Sequence, residues 1–279
     1  MTISVLMSVY KAEKAQHLHE ALQSVWADQT RKPDEIVVVR DGSLTEALDE
    51  VLQEWKTQLG EQLVILTNPQ NVGLTKSLNK GLAYAKGELV ARMDSDDLSI
   101  PGRFFLQEQY MAEHPDIAVV GGAIQEFDAE NPSLAVRRYP LNPDEVRKYI
   151  HKASPLAHPA VMMRKAIFEK GIRYDERYRT SQDIALWFDV LDAGYQIGNL
   201  SDVVLHFRRD GDVFKRRSRA KAYNEFKIYM SGIRRLYGIV TWRYVFPIAR
   251  LAFRLLPVSL VKRIYESGLR ARVLEKKGE

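Results

Sequence analysis

Apolar positions in the first 130 residues alternate between two periods, and that alternation predicts the fold. Ile3–Val9 and Ile36–Val39 are nearly unbroken apolar runs, the pattern of strands covered on both faces. Between them Leu18, Ala21, Leu22 and Val25 recur at helical spacing. Leu44, Leu48, Val51, Leu52, Trp55 and Leu59 mark a second helix face, and Leu63–Leu66 a third strand. Leu74, Leu78, Leu82 and Ala85 predict another helix, stopped by Gly87 and followed by a strand over Glu88–Met93. A helix opened by Pro101 and closed before Pro115 leads to the strand Ile117–Ile124. Strand–helix alternation of this kind predicts an α/β fold, a mainly parallel Rossmann-like sheet with helices on both faces. Ligands of such sheets bind beyond the carboxyl ends of the strands. Asp41, Asn68 and the Asp94–Asp97 cluster all follow strand ends, so they are expected to converge on one crevice.

Residues 140–212 are less regular. They hold a Pro-rich turn region, the apolar run Val161–Met163, and a helix from about Ser181 to Ala193 closed by Gly194. Beyond Arg216 the pattern is wholly helical. The expected division is therefore a domain over residues 1–215 and a basic helical tail over 216–279.

Charge sharpens that division. Residues 213–279 carry 17 Lys/Arg against 4 Asp/Glu, whereas residues 1–212 carry 24 against 32. Opposite balances in one chain suggest two tasks. With no cysteine in 279 residues, disulfides and thiolate metal sites are excluded. The amino-terminal residues read as a strand and not as a signal peptide, and no uncharged apolar run is long enough for a spanning helix.

The most informative segment is Arg92-Met93-Asp94-Ser95-Asp96-Asp97-Leu98. Three carboxylates in four positions after a buried strand are costly unless a cation or hydrogen-bond donors sit among them. A hard divalent ion, its shell completed by phosphate oxygens, is the usual physical answer.

In order, the chain reads Val5-Leu6-Met7-Ser8-Val9-Tyr10, Val38-Val39-Arg40-Asp41-Gly42-Ser43, Asn71-Val72-Gly73-Leu74-Thr75-Lys76-Ser77-Leu78-Asn79, the acidic segment, Pro101, and Ser181-Gln182-Asp183-Ile184-Ala185-Leu186-Trp187. This series resembles the family 2 glycosyltransferases of bacterial exopolysaccharide and O-antigen synthesis, over roughly residues 1–220. The resemblance implies the GT-A fold, a UDP-sugar donor (galactose or glucose), Mg²⁺ or Mn²⁺, and inversion at the anomeric carbon. It implies that Asp41 meets the nucleobase and that Val9, Tyr10, Asn71, Gly73, Lys76, Asp94 and Ser95 line the nucleotide-sugar site. Asp41-Gly42 also suits a plain turn, and Lys76 a solvated helix face.

By the same resemblance Asp96 ligates the metal, with Asp94 beside the ribose or sugar and sharing in the metal site. Asp183 takes the proton of the acceptor hydroxyl, although an aspartate in a first helical turn is favourable through the helix dipole alone. Gln182 stands where relatives carry glutamate. Arg216 and Arg217 are expected to grip the diphosphate, and Asp210 to serve as a metal ligand where many relatives have histidine. His158, Gln182 and Trp187 are expected on the acceptor side.

In the tail, Arg243, Pro247, Arg250 and Arg254 form a narrow polar stripe amid Trp242, Val245, Phe246, Ile248, Leu251, Phe253, Leu255 and Leu256. Such helices suit the plane of an anionic membrane surface, and the abundant large aliphatics argue against nucleic acid. The combined expectation is a peripheral enzyme on the cytoplasmic face of a bacterial inner membrane. It would act on a polyprenyl-diphosphate-linked oligosaccharide, with self-association left open. A catalytically inactive sugar-nucleotide or membrane-binding module is the non-enzymatic alternative. A sugar-nucleotide pyrophosphorylase shares the architecture, but Met7–Ala12 lacks the glycines of its triphosphate loop.

Overall fold

A computed structural model describes residues 1–209 and 219–256, and the chain divides into two compact units, residues 1–211 and 212–279. The first unit is built on strands β1 (Ile3–Val9), β2 (Glu35–Asp41), β3 (Leu63–Asn68), β4 (Leu89–Asp94), β5 (Leu98–Ser99), β6 (Ile117–Phe127), β7 (Val136–Arg137), β8 (Met162–Arg164) and β9 (Gln196–Arg208). They form one sheet in the order β3-β2-β1-β4-β8-β6-β9-β5, with β7 paired to β6. Its helices are α1 (Ala15–Val25), α2 (Glu46–Leu59), α3 (Leu74–Tyr84), α4 (Arg103–Glu113), α5 (Pro143–Tyr149), α6 (Ala166–Glu169) and α7 (Gln182–Asp192).

The amino-terminal half is parallel throughout, as β1 pairs with β2 and β4, and β2 with β3. Covered on both faces, β1 and β2 bury all but one residue each, which is why their sequences read as continuous apolar runs. The short β8 then pairs antiparallel with both β4 and β6, so the sheet is mixed beyond β4.

The thirteen-residue β9 carried no strand signal in the sequence. Its register against β6 shifts around Gly121–Ala123, and Asn199, Ser201 and Asp202 interrupt its apolar positions. A bulged strand changes faces part-way, which erases the two-residue period.

Register fixes where chemistry can occur. Val9 lies opposite Arg40, Asp41 opposite Asn68, and Ser8 opposite Asp94. Four parallel strands thus end together, with Asp41, Asn68 and Asp94 on one edge.

In the second unit, α8 (Arg219–Tyr237) and α9 (Val245–Leu255) form a helical hairpin. Buried Glu225 of α8 receives Arg250 at 2.8 Å and Arg254 at 2.6 Å, and Arg250 also lies over the Tyr229 ring. Pairing supplies what a buried carboxylate needs. No helix among the described residues is long and apolar enough to cross a membrane.

Candidate active site

The loop after β3 is built around Asp41. Its carboxylate accepts the backbone N–H groups of Val72 at 2.8 Å and Gly73 at 2.9 Å, and the Asn68 amide at 3.1 Å. Three of its roughly four lone-pair positions are therefore occupied within the chain. Asp41 is buried and shapes this loop whatever else it meets. Gly73 has φ of 91°, a conformation that favours glycine, and α3 starts directly after it. Val9 is buried, Tyr10 is exposed beside it, and Asn71 and Lys76 are exposed at the loop and on the first turn of α3.

At the end of β4 the acidic cluster is held by cations that sequence reasoning passed over. The Arg92 guanidinium forks onto both oxygens of Asp94, one bond at 3.0 Å and the other shorter. Arg92 and Asp94 stand two residues apart on the same face of a strand, and a cation in an otherwise apolar strand was the available signal. Behind it, fully buried Arg103 donates to the Arg92 carbonyl at 2.8 Å, and burial lowers its pKa to about 9. Arg208 donates its backbone N–H to Asp97 Oδ1 at 2.9 Å and its side chain to the Asp96 carbonyl at 2.7 Å. Ser95 is buried, and its hydroxyl donates to Glu13 at 3.0 Å, so Ser95 is tied to the loop after β1.

Carboxylate oxygens of Asp94, Asp96 and Asp97 all lie within 4.8 Å of one another. Burial, then the charges of Asp94 and Glu13, push the Asp96 carboxyl up to about 6. Burial, then the charges of Asp94 and Asp96, raise Asp97 well above the usual carboxylate range. Asp97 Oδ2 is buried with no hydrogen-bond donor among the described residues. An electron-rich, desolvated cluster with an unsatisfied buried oxygen fits a hard divalent cation.

The residues expected on the acceptor side divide. Asp183 stands half-buried in the first turn of α7. Just before it, Ser181 adopts φ of 60°, the one positive value outside glycine among the described residues. Such strain persists only where surrounding structure imposes it. Segment 174–178 is clipped to α3, since Thr75 donates to the Tyr178 carbonyl at 2.7 Å and Asn79 exchanges two bonds with the Tyr174 backbone. Gln182, His158 and Trp187 are buried in the structure. His158 Nε2 shares a 2.7 Å hydrogen bond with the Tyr174 hydroxyl, and its ring packs edge-on to Trp187. Burial holds the His158 ring well below its ordinary pKa, so it is neutral. These three pack inside the protein, and Trp187 is fully enclosed.

Tyr174 is buried. Burial raises its phenol, Arg92 opposes the rise, and the charges of Asp183 and Asp94 add to it. Tyr139, pushed up to about 12, also senses Asp183. Asp210, Arg216 and Arg217 lie outside the described residues.

The family model for glycosyl transferase family 2 matches residues 4–172, and the chain belongs to this family. Its sheet is that of the GT-A fold. An uncharacterized glycosyltransferase of Haemophilus influenzae is 36% identical, the match covering 97% of this chain and 100% of the relative. The amylovoran biosynthesis glycosyltransferase AmsE of Erwinia amylovora is 35% identical over 94% and 97%. The Escherichia coli UDP-Gal:alpha-D-GlcNAc-diphosphoundecaprenol beta-1,3-galactosyltransferase is 31% identical over 96% of each chain. Among structures, S. aureus TarS 1-349 in complex with UDP-GlcNAc superposes with a TM-score of 0.66 at 21% identity, covering 91% of this chain and 72% of TarS 1-349. The chain is thus a glycosyltransferase of the polysaccharide-building kind.

Proposed function

We propose that this glycosyltransferase moves a hexose, galactose or glucose, from a UDP-sugar to a hydroxyl of a lipid-linked oligosaccharide, with inversion at the anomeric carbon. The observation that best supports the reading is the acidic cluster at the carboxyl end of β4, where carboxylate oxygens of Asp94, Asp96 and Asp97 lie within 4.8 Å of one another and Asp97 Oδ2 is buried without a donor among the described residues. The kinship with an enzyme named for UDP-Gal and a diphosphoundecaprenol acceptor supports the donor and acceptor classes.

Asp183 accepts the proton of the acceptor hydroxyl as that oxygen bonds to the anomeric carbon. The bond from that carbon to the diphosphate oxygen breaks on the opposite face, and UDP leaves with the electron pair. Asp96 and Asp97 are the residues to hold Mg²⁺ or Mn²⁺, with Asp94 beside them and gripped by the Arg92 fork. When bound, the ion supplies Lewis-acid neutralisation of the departing diphosphate. The Asn71–Gly73 loop, pinned by Asp41, lines the uridine side with Val9, Tyr10 and Lys76. Arg216 and Arg217, outside the described residues, are the groups to grip the diphosphate, and Asp210 to add a metal ligand. The acceptor's lipid places the enzyme at a membrane, peripherally on the cytoplasmic face of the inner membrane, attached through its basic helices.

A donor screen tests the reading. Purified protein is titrated with UDP-, GDP- and dTDP-hexoses with and without Mn²⁺, then given a synthetic diphospholipid-linked GlcNAc, and the anomeric configuration of the product is read by NMR. Metal-dependent binding of one UDP-hexose and an inverted product are expected. Binding without turnover on any acceptor would favour the inactive module, and no nucleotide-sugar binding at all would end the transferase reading.

A further inference from the structure

The face that α9 turns to solvent is its apolar one. Its two charged positions, Arg250 and Arg254, point inward to Glu225, and Pro247 is buried. Val245, Ile248, Ala249, Ala252 and Leu255 are what remains outward, spaced as a single helical stripe. The turn before α9 continues this surface, with Ile239 72%, Val240 97% and Trp242 61% exposed, against 62% for Val245 and 53% for Ile248. Helices of water-facing proteins carry the reverse pattern. The turn is also well defined: Gly238 has φ of 82°, the Tyr244 hydroxyl donates to the Gly238 carbonyl at 3.1 Å, and Arg243 stacks over Tyr237. A contiguous apolar surface on a fixed hairpin marks an interaction site.

Charge selects what covers it. Residues 226–256 contain no Asp or Glu, and Arg234 and Arg235 stand exposed in the last turn of α8, directly before the apolar turn. A second copy of this chain would set cation against cation. Nucleic acid offers nothing to the aliphatic side chains. A layer of anionic headgroups over hydrocarbon satisfies both halves of the surface.

We propose that the α8–α9 turn is a membrane wedge. Ile239, Val240 and Trp242 enter the acyl boundary, the outward stripe of α9 lies in the interface, and Arg234 and Arg235 meet anionic headgroups. This rests on the membrane attachment proposed above and names the element that makes it.

The chain has no cysteine, so single-cysteine labelling tests the wedge cleanly. Full-length protein carrying Val240→Cys, or Glu61→Cys on the exposed surface of the first unit, is labelled with an environment-sensitive dye. It is then mixed with vesicles of phosphatidylcholine alone or with about a third phosphatidylglycerol. A blue shift at position 240 and none at 61 is expected, only with the anionic vesicles. In flotation, the double variant Ile239→Asp, Val240→Asp is expected to bind those vesicles about tenfold less, with UDP-sugar binding unchanged as the control for folding. Equal flotation of wild type and double variant, or no shift at 240, would overturn the wedge while leaving attachment by another element. Wild type that floats with no vesicle would overturn attachment and wedge together, leaving the donor screen to judge the transferase reading. Self-association abolished by the double variant would overturn the wedge in favour of a second copy.

Discussion

Asp96→Asn should make the metal-free protein more stable while removing its activity. Asp96 is partly buried beside Asp94 and Glu13, and its carboxyl is pushed up from 3.8 to about 6. A shift of that size corresponds to about 3 kcal/mol of destabilisation once the group is ionised in both states. One side of the carboxylate stays open to solvent, which reduces the expected effect to about 1–2 kcal/mol. The sign follows from proton uptake. Between pH 3.8 and about 6 the folded chain holds a proton that the unfolded chain has lost, so stability falls as pH rises through that window and stays low above it. The amide variant has no such term. Urea unfolding without metal should show the variant equal to wild type near pH 4 and about 1–2 kcal/mol more stable at pH 7.5. Mn²⁺ at a hundred times its Kd should stabilise wild type by about 2.7 kcal/mol and the variant hardly at all, reversing the order. An advantage independent of pH, or a variant less stable than wild type at pH 7.5 without metal, would refute the assignment of Asp96 as a carboxylate kept unfavourable for a cation.

Three further outcomes follow from named contacts. Asp183→Asn should lower turnover by about 10²–10⁴ while UDP-sugar affinity stays within twofold, since a general base acts on the transition state, and calorimetry beside a steady-state assay separates the two. Asp41→Ala strands two part-buried backbone N–H groups and one of the two bonds donated by the Asn68 amide, whose other goes to Ser77, costing about 1–3 kcal/mol in denaturant and weakening nucleotide binding; unchanged stability would show the loop held by something else. Gly87→Ala would put a methyl group 2.5 Å from the Ser4 backbone nitrogen, at the start of β4 where it meets β1. Because backbone cannot yield as a side-chain tip does, a loss of about 1–3 kcal/mol is expected in thermal unfolding, and a neutral result would show β1 and β4 packed more loosely than described.

Much of this architecture was legible along the chain. Strands buried on both faces write themselves as apolar runs, and their helices as 3.6-residue stripes, so β1 to β4 and α1 to α4 follow from periodicity. The crevice was legible too, because parallel strands place their carboxyl ends on one edge, and Asp41, Asn68 and Asp94 all follow such ends. The later strand β9 was hidden by its bulges, and the cations around the acidic cluster by distance: Arg208 lies 111 residues from the Asp97 it bonds.

Strand ends and helix faces are set by neighbours a few residues away, so they can be read along the chain. Which charges cancel is settled by the folded arrangement. Pairing needs contact within about 3 Å, and spacing along a chain does not report that distance. So it took the fold to turn Asp41 onto its own loop, to bring Arg208 to Asp97, and to enclose Trp187. It likewise took the fold to turn the arginines of α9 inward onto Glu225 and leave the aliphatic side chains facing out.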